Sequence, residues 1–387
     1  MVSVLVRITF VAVLAVFAVA DSSVAQEDVP RTRLKVPEAS LGEPFSSVGG
    51  LRELSDGRVL VSDRLEQALR IVDFVSGGFE EIGHTGQGPG EYRMPGELLG
   101  LPGDSTVLVD MGNMRMTFVT PDGRLEGSEP LVRPDGIFMF PRGVDAKGRI
   151  YFDLTGTMSM APGSLPDSFA IVAFDRATQT IDTIGLLARE QIRQVGTTRG
   201  EGFSFSGPGM APFQPADAWA VGPDGRVAVA LGVDYRVEWL ARGGERVVGP
   251  VVEYEPVRLT DEDKEAWADR MSQGAAVMVM SGGGGGGGGG GRTMNIPRPD
   301  VEELEWPDVK PAFPRGAVYV TPEGEAWVER YVEYSEPETF DVFDSSGRRV
   351  KQVVLPEGRR FIGFGAGALY AVRVDEDDLQ WLERYRR

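Results

Sequence analysis

Two copies of the tetrapeptide Phe-Pro-Arg-Gly are the residues of this sequence best suited to bind a ligand. They occupy residues 140–143 and 313–316, and each precedes an apolar segment with the pattern of a β-strand. Proline fixes its own φ angle, so the chain enters each segment in a preset direction. The arginines that follow, Arg142 and Arg315, carry guanidinium groups, which pair well with carboxylate or phosphate. If both point to one opening, they predict a site for a small anionic ligand.

Two related segments end in an acidic residue. They are residues 94–97, ending in Glu97, and residues 214–217, ending in Asp217. In one interpretation, these carboxylates balance the two arginines within a ligand site. In the other, the four charges only pair with one another around a solvated opening. A separation of the two guanidinium groups above roughly 20 Å would exclude a shared small ligand.

Composition excludes several kinds of chemistry. The chain of 387 residues has no cysteine and a single histidine, His84. Disulfides, thiolate metal sites and cysteine nucleophiles are therefore excluded, and a zinc centre with several imidazole ligands cannot form. The net charge of −18 disfavours nucleic acid as a partner, and it equally disfavours docking on an anionic membrane. We expect no cofactor.

The N-terminal residues have the pattern of a secretory signal. Arg7 precedes an apolar run at residues 8–20, and residues 23–25 (Ser-Val-Ala) place small side chains at a cleavage site. The alternative is an uncleaved anchor helix, although the apolar run is short for a bilayer. We therefore expect a signal peptide at residues 1–25. The mature chain, residues 26–387, is then secreted or periplasmic, monomeric and without a membrane span.

The mature chain repeats one unit, and this unit must position the charged residues. Each copy has three or four strand-like segments separated by turns, and one turn glycine marks each copy. These glycines are Gly57, Gly103, Gly148, Gly225, Gly324 and Gly367. Three of the five intervals span 43 to 46 residues, and the longer ones, of 77 and 99, fit one unit plus an insertion. Six small antiparallel sheets that cannot bury both faces alone predict an all-β, six-bladed β-propeller.

The two insertions differ in character. The first covers about residues 189–214 and has no clear period, whereas the second covers about residues 255–311. In the second, Thr260 has the features of a helix N-cap, and a short helix is expected to end near Gln273. Ten consecutive glycines follow at residues 282–291. Ordering glycine costs the most backbone entropy, so we expect this run to be a disordered connector between blades four and five.

Closure of the ring is the remaining structural problem, because open sheet edges promote aggregation. The last repeat lacks an outer strand, and residues 32–36 form an isolated strand-like segment near the start of the mature chain. We predict that this N-terminal strand joins the last blade and closes the propeller.

Residues 86–123 resemble the NHL repeat, whose pattern is Gly-x-Gly-Pro-Gly, a Pro-led strand, a glycine turn and then Val-x-Asp-x-x-Asn-x-Arg. The matching residues are Gly86, Gly88, Pro89, Gly90, Pro95, Gly103, Val109, Asp110, Asn113 and Arg115. The other repeats match in part; Asp153 and Glu329 stand where the third and fifth would have the strand-ending aspartate. The mature chain is similar to secreted bacterial six-bladed NHL-like propellers. This resemblance implies a scaffold in which the repeat Asp, Asn and Arg tie turns together.

Two functions are compatible with such a scaffold. The first is non-catalytic binding of a protein, a peptide or a small anionic ligand at the channel mouth. The second is a calcium-dependent lactonase or hydrolase, similar to sugar-lactone propellers that hold the ion with oxygen ligands. Residues 41–44 (Leu-Gly-Glu-Pro) weakly resemble the N-terminal glutamate motif of those enzymes. Strong thermal stabilisation by calcium would favour the second function.

Overall fold

The computed structural model describes residues 29–134, 137–154, 168–188, 198–200, 203–205, 212–275 and 298–387. The predicted signal peptide and the predicted glycine connector lie outside these residues.

The first part of the chain contains two short N-terminal strands and the strands of the first two blades. They are β1 (Arg31–Arg33), β2 (Ala39–Ser40), β3 (Val48–Glu53), β4 (Val59–Asp63), β5 (Ala68–Val72), β6 (Phe79–Glu81), β7 (His84–Thr85), β8 (Glu91–Tyr92), β9 (Pro95–Gly100), β10 (Thr106–Asp110), β11 (Arg115–Val119) and β12 (Leu125–Pro130).

The middle part contains the third and fourth blades and a helix. The elements are β13 (Pro141–Val144), β14 (Ile150–Leu154), β15 (Ser168–Asp175), β16 (Thr180–Ala188), β17 (Thr198–Gly200), β18 (Phe203–Phe205), β19 (Ala218–Val221), β20 (Val227–Leu231), β21 (Arg236–Leu240), β22 (Arg246–Val248) and α1 (Asp261–Ala275). The last part contains the fifth and sixth blades. Their strands are β23 (Val318–Val320), β24 (Ala326–Arg330), β25 (Thr339–Phe343), β26 (Arg349–Val354), β27 (Arg359–Gly365), β28 (Ala368–Val374) and β29 (Gln380–Arg386).

These strands form six antiparallel meanders, which are the six blades. Blades one to four are β3–β6, β9–β12, β13–β16 and β19–β22, and blades five and six are built on β23–β26 and β27–β29. The predicted all-β, six-bladed propeller is therefore confirmed. The turns between the first two strands need glycine where expected: Gly57 and Gly324 have φ angles of 87° and 88°, a region that other residues rarely adopt.

Six buried apolar clusters hold the ring together, one at each junction between neighbouring blades. The junction of blades six and one contains Tyr370 and Leu382 from one side and Val59 and Val61 from the other. Fully burying an aliphatic or aromatic side chain stabilises a fold by about 1.5–3 kcal/mol. The repeated junctions therefore supply most of the cohesion of the ring.

The predicted pairing of residues 32–36 with the last blade is wrong. The strand there is β1, which pairs in parallel with β26 of blade five, with Arg31 opposite Gln352. After five intervening residues, β2 begins and pairs antiparallel with β29 of blade six, with Ala39 opposite Arg384. The unpaired outer edge of blade five thus takes the first segment, and the chain then crosses to blade six. The N-terminal residues in this way contact both of the last two blades.

Helix α1 lies between blades four and five, as the sequence predicts. Thr260 caps it: the Thr260 hydroxyl accepts a hydrogen bond from the Asp263 backbone N–H, and the Asp263 carboxylate accepts one from the Thr260 N–H. Asp263 also pairs with Lys310 at 2.6 Å, and both side chains are buried. None of the helices in the described part of the chain has the length and apolar character needed to cross a bilayer.

Candidate functional site

The central channel has two chemically different ends. Around the ring, the last residues of the six inner strands line a cavity of about 440 Å³ at one end. The charges there are satisfied, since Arg52 pairs with Asp104 at 2.8 Å and Glu53 accepts a hydrogen bond from the Tyr370 hydroxyl at 2.6 Å. The first residues of the inner strands lie at the opposite end, which we call the channel mouth.

Arg142 is the most available cation at the channel mouth. It is the second residue of β13 and its side chain is exposed. A methyl group built on Gly316 would lie 3.7 Å from Nη2 of Arg142. The guanidinium of blade three therefore reaches the start of blade five, next to Arg315, and the two Phe-Pro-Arg-Gly segments approach each other. Within the described residues, Arg142 has no hydrogen bond or ion pair, whereas Arg315 is exposed and engaged by another residue.

Glu97 lies within electrostatic reach of Arg142. It is the third residue of β9 and is accessible to water in the channel, although the walls enclose it. Burial raises the pKa of Glu97, and the nearby charges of Arg142 and Arg64 oppose this rise. No hydrogen bond to the Glu97 carboxylate forms within the part of the chain that the structure describes.

Asp217 directly precedes β19, at the mouth end of blade four. Its carboxylate accepts a hydrogen bond from the Gly232 backbone N–H at 3.0 Å, which fixes the turn between β20 and β21 of its own blade. Burial raises its pKa, this hydrogen bond lowers it, and the neighbouring Glu238 raises it further. Asp217 is therefore engaged in holding a turn, and its recorded contacts do not connect it to Arg142 or Glu97.

A pair of glutamates from blade five also belongs to the channel mouth. Glu329 lies near the end of β24, and Glu338 directly precedes β25. Burial raises the pKa of Glu329 to about 7, opposed by the charge of Arg270 on α1. Burial raises the pKa of Glu338 to about 8, and the Glu329 charge adds to this. The Phe361 backbone N–H donates to Glu338 at 2.7 Å and opposes the rise.

Tyr319 connects the two groups of charges. Burial raises its pKa, and the carboxylates of Glu329 and Glu338 raise it further. The same phenol also feels the charges of Arg142 and Glu97. Four charged side chains from three blades therefore lie within electrostatic reach of one hydroxyl. The Tyr319 ring is fixed by an edge contact with Phe361 at 4.7 Å between centroids.

The glutamates and Tyr319 were missed in the sequence, although one signal was present. Asp153 and Glu329 were noticed only as departures from the repeat pattern. The register places both at the fourth residue of the second strand, and Ser62 is the equivalent residue of blade one. The Ser62 hydroxyl donates to the Gly96 carbonyl of the next inner strand at 2.6 Å. A polar residue at this position therefore faces the neighbouring blade, which an alignment of the strands would have shown.

The residues of the NHL-like segment form structural contacts. The Asp110 carboxylate accepts hydrogen bonds from the Arg93 backbone N–H at 2.8 Å and from the Asn113 amide at 2.7 Å. Asn113 also donates to the Gly86 carbonyl at 2.9 Å, and Arg115 pairs with Asp110 at 3.2 Å. These side chains tie the glycine turn to the next strand, as the resemblance implied.

Comparison with known proteins supports the fold. No protein-family model matches the chain, and no curated protein matches its sequence. The solved structures that it is similar to include a "Putative exported protein" from Bacteroides fragilis, with 14% identity, coverage of 92% of this chain and 99% of that one, and a TM-score of 0.50. They also include a streptogramin B lyase, with 12% identity, coverage of 90% and 85%, and a TM-score of 0.40. The similarity to the exported protein shows the shared fold.

A metal site was the other possibility weighed at the channel. Across the described residues, no group of three or more His, Asp or Glu side chains is arranged to hold a metal ion.

Proposed function

We propose that this protein is a non-catalytic binding propeller that captures a small ligand with an anionic group at its channel mouth. The observation that carries the proposal is the guanidinium of Arg142, which reaches the start of blade five and has no partner within the described residues. Arginine binds carboxylate and phosphate through two parallel hydrogen bonds. The ligand supplies the anion that the protein does not provide there.

The proposed location is outside the cytoplasm, among secreted NHL-like propellers. It is supported by the signal-like pattern of residues 1–25 and by the resemblance of residues 86–123 to the NHL repeat. A non-catalytic role is supported by the lack of any cysteine nucleophile and by the presence of only one histidine in the sequence. The single histidine, His84, is exposed and its Nε2 lies 3.1 Å from the Glu91 carboxylate, in the glycine-rich turn.

The test is isothermal titration of the protein with acetate, succinate and inorganic phosphate. Replacing Arg142 by alanine should weaken the binding of the tightest of these ligands by at least about tenfold, which corresponds to ~1.4 kcal/mol of binding free energy. Arg142→Lys should give an intermediate loss, because lysine keeps the charge but loses the bidentate geometry. The matched control is Arg348→Ala, since Arg348 is 70% exposed in a turn of blade five.

Two results would overturn the proposal. One is that none of the three anions binds, and the other is that Arg142→Ala binds them as well as the unmodified protein does. Calcium is added in a parallel thermal-shift series. A large stabilisation would favour the calcium-dependent enzyme over the binding scaffold.

A further inference from the structure

The channel mouth has a second pole, which is acidic and comes mainly from blade five. Tyr319 lies on β23, Glu329 on β24 and Glu338 just before β25. Three neighbouring strands of blade five therefore position the three polar groups of this pole. Glu338 is held by the Phe361 backbone N–H at 2.7 Å. Within the described residues, neither the Glu329 carboxylate nor the Tyr319 hydroxyl has a hydrogen-bond partner.

Among the residues that the structure describes, no cation is in direct contact with this acidic pole. The charges of Arg270 and Arg360 act on Glu329 and Glu338 from a distance and do not offset burial, so both carboxyl groups have raised pKa values. The Arg360 guanidinium instead donates to Gln380 at 3.0 Å. Glu329 and Glu338 are half-buried. A carboxylate that is partly removed from water and has no partner is unfavourable, and a cation that arrives with the ligand relieves this cost.

The two poles belong to the same opening. Nη2 of Arg142 lies 3.7 Å from the position of a Cβ on Gly316, three residues before Tyr319, and the charges of Arg142, Glu329 and Glu338 all act on the Tyr319 phenol. A ligand that bridges them must therefore carry opposite charges at its two ends. An anion alone would bind the Arg142 guanidinium and leave the negative charges of Glu329 and Glu338 without a cation.

We propose that the ligand of the channel mouth is a zwitterion, such as an amino acid or short peptide, with its carboxylate at Arg142 and its ammonium group at Glu329, Glu338 and Tyr319. This inference rests on the proposed function, because it assigns the second half of the same site. The ammonium group donates hydrogen bonds to the two carboxylates and to the Tyr319 hydroxyl oxygen.

Proton exchange gives the inference a distinct signature. An ammonium group beside Glu329 and Glu338 favours their ionised forms, so binding at pH 7 releases protons to the buffer. An anion at Arg142 alone has the opposite tendency, because added negative charge favours the protonated carboxyl groups. The heat of binding in buffers of different ionisation enthalpy measures the sign directly.

The experiment uses a series of linear amino acids with matched halves. Glycine, 4-aminobutanoate and 6-aminohexanoate vary the distance between the charges, and each is compared with the carboxylate and the amine of the same chain length. At least one zwitterion should bind about tenfold more tightly than both of its halves, a difference of ~1.4 kcal/mol, with proton release. Glu329→Gln should remove this advantage, while the simple carboxylate should bind at least as tightly as before, because one negative charge is removed from the mouth.

The control variant is Glu333→Gln, at an exposed glutamate in the loop between β24 and β25. Thermal unfolding of each variant confirms that it is folded before titration. If simple carboxylates bind through Arg142 but no zwitterion binds more tightly than its carboxylate half, this inference is wrong and the proposed function stands. If neither the simple anions nor the zwitterions bind, both are wrong.

Discussion

At Glu329 and Glu338, burial raises the pKa by more than the nearby arginine charges lower it. The cost of removing each carboxylate from water is the largest influence on its pKa, and the two negative charges also repel each other. Asp122 shows the opposite balance. It is exposed, and a hydrogen bond from the Thr120 hydroxyl, with a second from Arg124, lowers its pKa to about 2.

The raised pKa values predict that folding stability falls as pH rises from about 5 to 8. In this range the unfolded carboxyl groups have already lost their protons, whereas Glu329 and Glu338 keep theirs in the folded protein until about pH 7 and 8. The folded state therefore binds more protons, and the free energy of unfolding decreases with pH. The Glu338→Gln protein has no ionisable group at this position. Its free energy of unfolding should therefore fall less over this pH range than that of the unmodified protein, by an amount on the order of 1 kcal/mol.

Chemical denaturation at pH 5, 6, 7 and 8 measures this effect. The control is again Glu333→Gln, which should follow the unmodified protein at every pH. If the stability of the Glu338→Gln protein changed with pH in the same way as that of the unmodified protein, the raised pKa of Glu338 would be contradicted.

Only part of the site was predictable at the residue scale. Arg142 and Glu97 follow proline-led strand entries, and this local pattern was sufficient to select them. Asp217 has the same local pattern, but its hydrogen bond to Gly232 comes from a turn fifteen residues away. Tyr319 and Glu338 depend on which blade lies beside them, and that neighbour is determined by the ring.

At the scale of elements, helix α1 is held on the propeller by one buried ion pair. Lys310 is 3% exposed and Asp263 is 8% exposed, with 2.6 Å between their charged atoms. Lys310 also donates to the Val332 carbonyl at 2.8 Å. Trp267 of the helix adds an edge contact with Trp306 at 5.4 Å between ring centroids. The helix is the element that carries Arg270 toward Glu329, so its docking affects the mouth.

Replacing Asp263 by alanine should destabilise this docking by about 3 kcal/mol, because it leaves the Lys310 charge buried without its partner. Asp261→Ala is the matched control on the same helical turn, since the Asp261 side chain is 92% exposed. Chemical denaturation followed by tryptophan fluorescence reports the loss, with Trp267 and Trp306 as local probes. Equal stability of the two variants would show that the ion pair does not hold the helix.

The start of the helix was predictable from the sequence, but the N-terminal strands were not. Thr260 and the acids after it form a local capping pattern, which a linear sequence displays. The partners of β1 and β2 lie more than 300 residues away, at Gln352 and Arg384. The choice of partner depends on where the finished ring leaves an edge free.

At the scale of the whole molecule, the number of blades followed from six turn glycines, three of whose intervals span 43 to 46 residues while the other two contain an insertion. Each repeat gives one sheet, and each sheet buries its faces against two neighbours. The junction of blades six and one completes the series, with Tyr370 and Val372 against Val59 and Val61. Closure of the ring is what brings Arg142 of blade three to the start of blade five. The candidate ligand site is therefore a property of the whole propeller.

The most direct test is a crystal structure of the protein with the ligand that binds most tightly in the titrations. Density between the Arg142 guanidinium and the Glu329 carboxylate, with the anionic group of the ligand toward Arg142, is the predicted result. Density confined to the opposite end of the channel, beside Arg52 and Asp104, would contradict the account.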